Sequence, residues 1–274
     1  MEVIRSLWKA AMVPGLTYAG AVLCPSAATK EYLERRQREV GRLALGSHRT
    51  TPNEAVQGDM GWSSFAAREA TAKLSFEMRA WTLGETNWVY RVRRSLLFTA
   101  RSTRWTKRVR ALSEKYGVPL PALCNLKDTT MTRAKVRERV SQVETQQWAG
   151  RAAAKPALHF YVAHKREIRC EGFYDNASGS GLLFEARSGT LRTRRWQVSC
   201  GTAESAICEL CGEEEESIEH VVLYCPRLEP PYFDSGNILL TAHEIEPAFR
   251  NLSLAKTTIK DTLSHSFMWL WNCE

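Results

Sequence analysis

Apolar residues recur along this chain at helical spacing, broken at intervals by glycine and proline, so the pattern predicts a mainly α-helical protein. Val3 to Met12 forms a first segment stopped by Pro14-Gly15, and a second short apolar run covers Leu16 to Leu23. Ser26 can cap a longer amphipathic helix from Ala27 to Leu45 that Gly46 ends. Its inward positions are Tyr32, Leu33, Val40, Leu43 and Ala44, and its outward ones are Glu31, Glu34, Arg35, Arg38 and Glu39. Thr51-Pro52-Asn53-Glu54 reads as a capping box with proline at the first helical position, opening a short turn that stops by Gly58. Ser64 to Leu83 follows, ended by Gly84, and then Thr86 to Ala100 and Thr103 to Tyr116.

After the connector Pro119-Leu-Pro121, Thr132 to Ala154 is the longest polar helix, closed by Pro156. From Ala157 to Gly181 the pattern weakens, and Leu158-His-Phe-Tyr-Val162 reads equally as a strand or a helix end. Leu182 to Ala186 is a short helix, followed by Gly189 and the basic Leu191-Arg-Thr-Arg-Arg195. An acidic, proline-bearing linker and a closing helix near Lys256 to Trp271 complete the chain. There is no internal repeat.

Composition sharpens this picture through charge. The 274 residues are 44% hydrophobic and 25% charged, enough for one or two real cores and unlike a globally disordered chain. The net charge of +8 conceals a split: residues 201–274 carry 4 Lys+Arg against 13 Asp+Glu. Of the chain's 38 basic and 30 acidic residues, the first 200 therefore hold 34 and 17. A basic body with an acidic tail suggests a surface for polyanions, against the alternative of an Arg-rich solvated face. Arg5 and Lys9 precede an apolar stretch, Ala10 to Pro25, that mimics a secretory signal. Pro14, Gly15, Thr17 and Tyr18 interrupt it and it is too short to span a bilayer, so it reads as buried core in an intracellular, non-secreted protein without membrane contact.

The cysteines carry the most definite chemistry. Cys208-Glu-Leu-Cys211, then His220 and Cys225, spell C-x2-C-x8-H-x4-C. Two thiolates from one tight turn, an imidazole and a third thiolate complete a tetrahedron, which points to one structural zinc ion with no coordination place left for a substrate water. The alternative is a set of buried thiols, since cysteine packs as a small hydrophobe. Gly212 sits where a knuckle turn needs positive φ, and Glu213 to Glu219 with Val221, Val222 and Leu223 read as a short helix with an acidic first turn. His220 and Cys225 are five apart, so that helix must tighten or end between them. Cys24, Cys124, Cys170, Cys200 and Cys273 show no pairing pattern, which fits a reducing compartment.

Catalytic constellations are missing from the sequence. Two-metal nucleotidyl transfer needs converging carboxylates, and the five aspartates (Asp59, Asp128, Asp175, Asp234, Asp261) are never adjacent. There is no phosphate-binding glycine loop with lysine, no nucleophile elbow and no H-E-x-x-H. Tyr174-Asp175-Asn-Ala-Ser178-Gly179 looks like the opening strand of a ribonuclease H, yet only Glu185 follows it closely, and a Gly/Ser-rich turn between helices accounts for it better. Arg91, Arg93, Arg94, Arg101, Arg104, Lys107, Arg108 and Arg110 fall within twenty residues without an acid. Arg104, Lys107 and Arg108 share one helical face, suited to a phosphate backbone, and Arg192, Arg194 and Arg195 add a second basic group. Trp88 and Trp105 at helical spacing read as core ahead of base-stacking platforms.

Met12-Val-Pro14-Gly-Leu16-Thr-Tyr18-Ala-Gly20 resembles the segment that begins the thumb in LINE-type (non-LTR) retrotransposon reverse transcriptases. Thr29-Lys-Glu-Tyr-Leu33-Glu-Arg-Arg-Gln37 with Leu43-Ala-Leu-Gly46 resembles the next thumb helix, and Gly61-Trp62-Ser-Ser-Phe65-Ala-Ala-Arg68 a post-thumb motif. Leu191-Arg-Thr193 and Glu219-His220-Val-Val-Leu-Tyr-Cys225-Pro226 are similar to that family's terminal knuckle region, and the arthropod copies called tick transposons are the nearest in kind. The resemblance implies a thumb-like and post-thumb region at 1–118, a helical connector at 119–200, a CCHC zinc knuckle at 201–228 and an acidic linker with a closing helix at 229–274. It also implies contact with template RNA and target DNA within a retrotransposon polyprotein, with the polymerase palm and endonuclease outside this chain. An inert transposon remnant, a protein-interaction module using the acidic tail and a free-standing zinc enzyme are the rival expectations.

Overall fold

The computed structural model describes residues 2–99, 101–120, 131–172, 174 and 178–227. Cys124, Cys273, Asp175 and everything from 228 onward, including the acidic linker and closing helix, lie outside them. The fold is mainly helical, as the periodicity predicts, and among the described residues the only β pairing is an isolated bridge between Ile207 and Glu215. In chain order, α1 (Glu2–Leu7) passes through a π-helical stretch (Trp8–Met12) into α2 (Val13–Leu16). Then come α3 (Ala27–Leu45), α4 (Asn53–Met60), α5 (Phe65–Thr82), α6 (Trp88–Phe98), α7 (Arg104–Tyr116) and α8 (Arg133–Ala153). A 3-10 turn (Pro156–Leu158), α9 (His159–His164), α10 (Ser178–Arg187), α11 (Arg194–Ser199) and a π-turn (His220–Tyr224) complete the described chain. None of these helices is long and apolar enough to cross a membrane.

The chain divides into two compact units, and the divisions fall within α1, α3 and α8 and after α4. One unit comprises residues 5–38 and 61–150. Its core forms because α5 presents Ala67, Ala70, Leu74 and Met78 at helical spacing against Val109, Leu112 and Tyr116 of α7 and Val136 and Val140 of α8. Burying each of the larger aliphatic side chains contributes about 1.5–3 kcal/mol. The ends of these helices are chemically specified. Ser64 Oγ accepts from Ala67 N–H to start α5, Thr103 and Thr106 close a reciprocal capping box on α7, and Gly117 ends α7 in the left-handed conformation at φ 60°.

Charge is also built into this unit's interior. Lys73, fully buried, donates from Nζ to the carbonyls of Gly20 and Leu23, while Trp105 Nε1 donates to Ala21 O at 2.8 Å. The stretch from Ala10 to Pro25 thus meets α5 and α7 through backbone oxygens. This corrects the expectation of a buried apolar segment: Tyr18 is 84% exposed, and Met12, Leu16, Val22 and Leu23 are exposed too. Helix α3 differs similarly, since Tyr32 and Leu43 are exposed and its half-buried or buried stripe runs through Leu33, Gln37, Val40, Gly41, Ala44 and Leu45. Gln37 can sit there because Trp8 and Arg68 donate to its Oε1 and its Nε2 reaches Ser63 O. Glu34, expected outward, accepts from Phe65 N–H at the start of α5, and burial raises its pKa.

The other unit comprises residues 1–4, 39–60 and 151 onward. Its core gathers Leu45, Ala55, Val56, Met60, Leu158, Tyr161, Phe184 and Leu191 around a buried carboxylate, Asp59. Tyr161 donates to one oxygen of Asp59 at 2.8 Å and Tyr174 to the other at 2.5 Å, and Arg187 lies 3.4 Å away. Burial, reinforced by the Asp59 charge, pushes both tyrosines well above their ordinary pKa. Leu158 to Val162 is helical rather than a strand, Asn53–Met60 continues past Gly58, and α10 begins at Ser178, so the Gly/Ser stretch opens a helix instead of forming a turn. Within that helix glycine is required at 181, where a Cβ would meet Gly46 O at 2.8 Å.

Candidate metal centre and basic surfaces

The knuckle starts as a small hairpin. Cys208 N–H donates to Glu214 O and Glu216 N–H to Ala206 O, both at 2.8 Å, pairing the chain on either side of the Cys208–Cys211 turn. Gly212 N–H closes that turn on Cys208 O at 2.8 Å, and Gly212 adopts φ 73°, the left-handed value expected of the residue after the second cysteine. Glu213 and Glu214 lie in bends and Glu215 forms the isolated bridge with Ile207, so the helix expected from Glu213 starts only at Ile218. Ser217 Oγ accepts from His220 N–H at 3.0 Å at this start.

The spacing of five between His220 and Cys225 is resolved by widening. In an α-helix, positions i and i+5 point about 140° apart. His220–Tyr224 is instead a π-turn in which Cys225 N–H donates to His220 O at 2.7 Å, and the helix then ends in extended backbone at Cys225. The expected end is there, but the helix opens rather than tightens, which swings Cys225 back over His220.

These segments bring one ligand atom from each of Cys208, Cys211, His220 and Cys225 within 4.8 Å of one another. Cys208 Sγ and Cys225 Sγ are 3.9 Å apart, and Cys211 Sγ lies 3.4 Å from His220 Nε2. A tetrahedral ion with bonds of about 2.3 Å to sulfur and 2.0–2.1 Å to nitrogen requires separations of about 3.8 Å and 3.5 Å, which these two pairs match. Glu214 Oε2 lies 3.1 Å from His220 Nδ1, which turns Nε2 towards the thiols. Sequence reasoning missed Glu214 because nothing distinguishes it from its neighbours in the run Glu213 to Glu216. Burial pushes the Cys208 thiol up to about 11, whereas backbone N–H groups of Glu213 and Glu214 hold Cys211 down to about 7. The group can hold a metal ion, and its soft, closed donor set suits a structural site.

The basic residues separate into two groups. Arg108 forms two hydrogen bonds to buried Glu69, at 2.6 and 3.0 Å, and Arg93 pairs with fully buried Glu77 while its guanidinium lies over Trp105. Arg94 pairs with Glu85 at 3.1 Å on the surface. Arg91, Arg101, Arg104, Lys107 and Arg110 are exposed, with no carboxylate partner among the described residues. The stripe Arg104, Lys107, Arg108 is therefore broken at Arg108. Trp88 is 74% exposed, not core, with Arg91 over its ring, whereas Trp105 is half-buried against Phe76. In the second group, Arg194 pairs with Glu209 and donates from its backbone to Glu216, Arg195 approaches Glu215 at 3.7 Å, and Arg192 approaches Glu185 at 3.9 Å. Comparison with protein-family models, curated proteins and solved structures finds no match to this chain.

Proposed function

We propose that this chain binds nucleic acid as the thumb and zinc-bearing C-terminal region of a non-LTR retrotransposon reverse transcriptase, holding template RNA or target DNA beside the rest of that polyprotein. The observation that carries the reading is the exposed, unpaired cation set of α6, α7 and the link between them: Arg91, Arg101, Arg104, Lys107 and Arg110. Next to it stand Trp88 and Phe98, 74% and 75% exposed, with the guanidiniums of Arg91 and Arg94 over their rings. Cations that track phosphates beside aromatic faces that stack bases are the elements of sequence-tolerant strand binding. The ion proposed for the cage is zinc, because three thiolates and an imidazole in a closed tetrahedron select it over harder cations.

The chain binds and does not polymerise in this reading. Asp59 is enclosed by Tyr161, Tyr174 and Arg187, far from the paired, accessible carboxylates of two-metal catalysis, so purified protein with Mg2+ or Mn2+ is expected to leave a primer unextended. The binding itself is tested by anisotropy of a labelled oligonucleotide across a salt series. Replacing Arg101, Arg104, Lys107 and Arg110 together by Gln should reduce the log–log salt slope by about 3, near 0.7 per lost single-strand contact. An unchanged slope sinks the proposal for these residues.

A further inference from the structure

Within the unit of residues 5–38 and 61–150, a groove of about 1760 Å3 runs between α5 and the first half of α8, with Lys9, Val13 and Thr17 of the N-terminal helical run along one side. Its floor is shallow where α5 presents the short side chains Ala67, Thr71, Ala72 and Ser75, while Phe76, Met78 and Trp81 of the same helix add apolar lining. Its charge is lopsided. Lys9, Arg68, Arg79, Arg133 and Arg137 face Glu138 and Glu144 only, and Glu144 is already engaged, accepting from Ser64 N–H at 2.6 Å.

The cations sit on more than one wall. Arg133 and Arg137 stand one helical turn apart on α8, and Arg79 projects from α5; all three are exposed, and none has a carboxylate partner among the described residues. Arg68 lies deeper, half-buried, donating to Gln37 Oε1 at 2.6 Å with its guanidinium over Phe65. On the floor, Ser75 Oγ is buried without a hydrogen-bond partner. Opposed cations above a floor of short side chains, with Phe76 and Trp81 in the same lining, are complementary to a flexible chain of phosphates and bases. The volume accommodates roughly five nucleotides, near the lower end of known single-strand site sizes.

We infer that this groove is a second strand path, one that takes about five nucleotides of single-stranded RNA or DNA with phosphates on Arg79, Arg133 and Arg137. It rests on the proposed nucleic-acid function but is separate from the α6–α7 cations. The α5 side chains explain why no sequence signal announces it: alternating Ala, Thr and Ser read as ordinary helix formers until their neighbours are known.

The test uses the full chain with labelled oligo(dT) and oligo(rU) ten-mers, a blunt duplex of equal length and polyglutamate of matched charge as competitor. The wild type should bind the single strands more tightly than the duplex, and polyglutamate should compete poorly. The variant carrying Arg79→Gln, Arg133→Gln and Arg137→Gln, whose exposed side chains leave the core intact, should lower the salt slope by about 2 and weaken binding at least tenfold at 0.1 M salt. Circular dichroism and the thermal midpoint should be unchanged, with Arg79→Lys, Arg133→Lys and Arg137→Lys together restoring binding. Normal strand binding by the Gln variant overturns the groove while leaving the proposed function standing. Equal affinity for duplex, or equal competition by polyglutamate, also overturns it. No binding by the wild type at 50 mM salt removes the proposed function and the groove together.

Discussion

Replacing Cys211 by serine removes one donor from the cage and should detach the metal. Among the residues after Gly201 whose side chains are described, the buried ones are Cys208, Glu216, His220, Val221 and Cys225, so Val221 is the one fully aliphatic member of that set. Its burial contributes about 1.5–3 kcal/mol, far less than the ordering cost of a segment this long at about 1–2 kcal/mol per residue. Structural zinc supplies about 10–16 kcal/mol at neutral pH in small modules. Shared over four ligands this is about 2.5–4 kcal/mol each, so Cys211→Ser should weaken metal affinity by roughly two to three orders of magnitude. Competition against a chromophoric chelator gives the affinity, elemental analysis the stoichiometry, and amide exchange the local fold. The wild type should hold one ion, and metal loss should abolish protection of the Cys208, Gly212, Glu216 and Cys225 amides, whose hydrogen bonds build the knuckle. Protection across α5, α7 and α8 should persist. Cys170→Ser and Cys200→Ser, outside the cage, should change neither. Stoichiometric, tight metal in Cys211→Ser, or metal-free wild type with full protection of those four amides, would mean that the four residues are ordinary buried side chains.

Three further outcomes follow from named interactions. Glu214→Gln should lower metal affinity about tenfold or more without displacing the thiols, since the carboxylate at 3.1 Å orients His220; titration with the same chelator measures it. Glu69→Gln should destabilise the protein by about 2 kcal/mol in chemical denaturation, because it leaves Arg108 and Lys30 without their shared carboxylate, whereas exposed Lys107→Gln should stay within about 0.5 kcal/mol. Burial raises the pKa of Glu144, so the folded state holds that proton more tightly than the unfolded chain does, and stability attributable to it falls as pH rises from the ordinary carboxylate range through the raised value. Glu144→Gln should flatten that part of the stability–pH curve, and a parallel curve would count against the assignment.

Helix existence was readable where the chain marks its own ends. Ser64, Thr103, Gly117 and Pro156 bound α5, α7 and α8 by local chemistry, and those helices lie within a residue or two of the positions their caps and breakers indicate. The direction each helix faces was less legible. Gln37 belongs to the inner stripe of α3 because Trp8, Ser63 and Arg68, 26 to 31 residues distant, satisfy its amide. Local periodicity counts hydrophobicity and carries no information on such partners. The exposed Ala10–Pro25 stretch follows the same logic, since its contribution to the core is made by carbonyls, which every residue type possesses.

The metal cage was legible because ligand identity and spacing are written in the sequence, and three soft donors plus a histidine have few other uses in such a short span. Its closure depended on features with no side-chain signature: a π-turn that rotates Cys225 towards His220, and a hairpin register that selects Glu214 from a run of four glutamates. The basic surfaces expose the opposite weakness. Eight cations in twenty residues look equivalent in a sequence, yet Arg93 and Arg108 neutralise the buried carboxylates of α5, and a cation spent on Glu69 or Glu77 is withdrawn from any phosphate. Glu69 and Glu77, with Lys73 between them, fall on one face of α5 at intervals of four. That buried charged stripe fixes which members of the α6–α7 cluster face inward. The surface left for a polyanion is thus defined by acids on a neighbouring helix, and net charge along a segment overstates its binding capacity wherever such a stripe lies underneath.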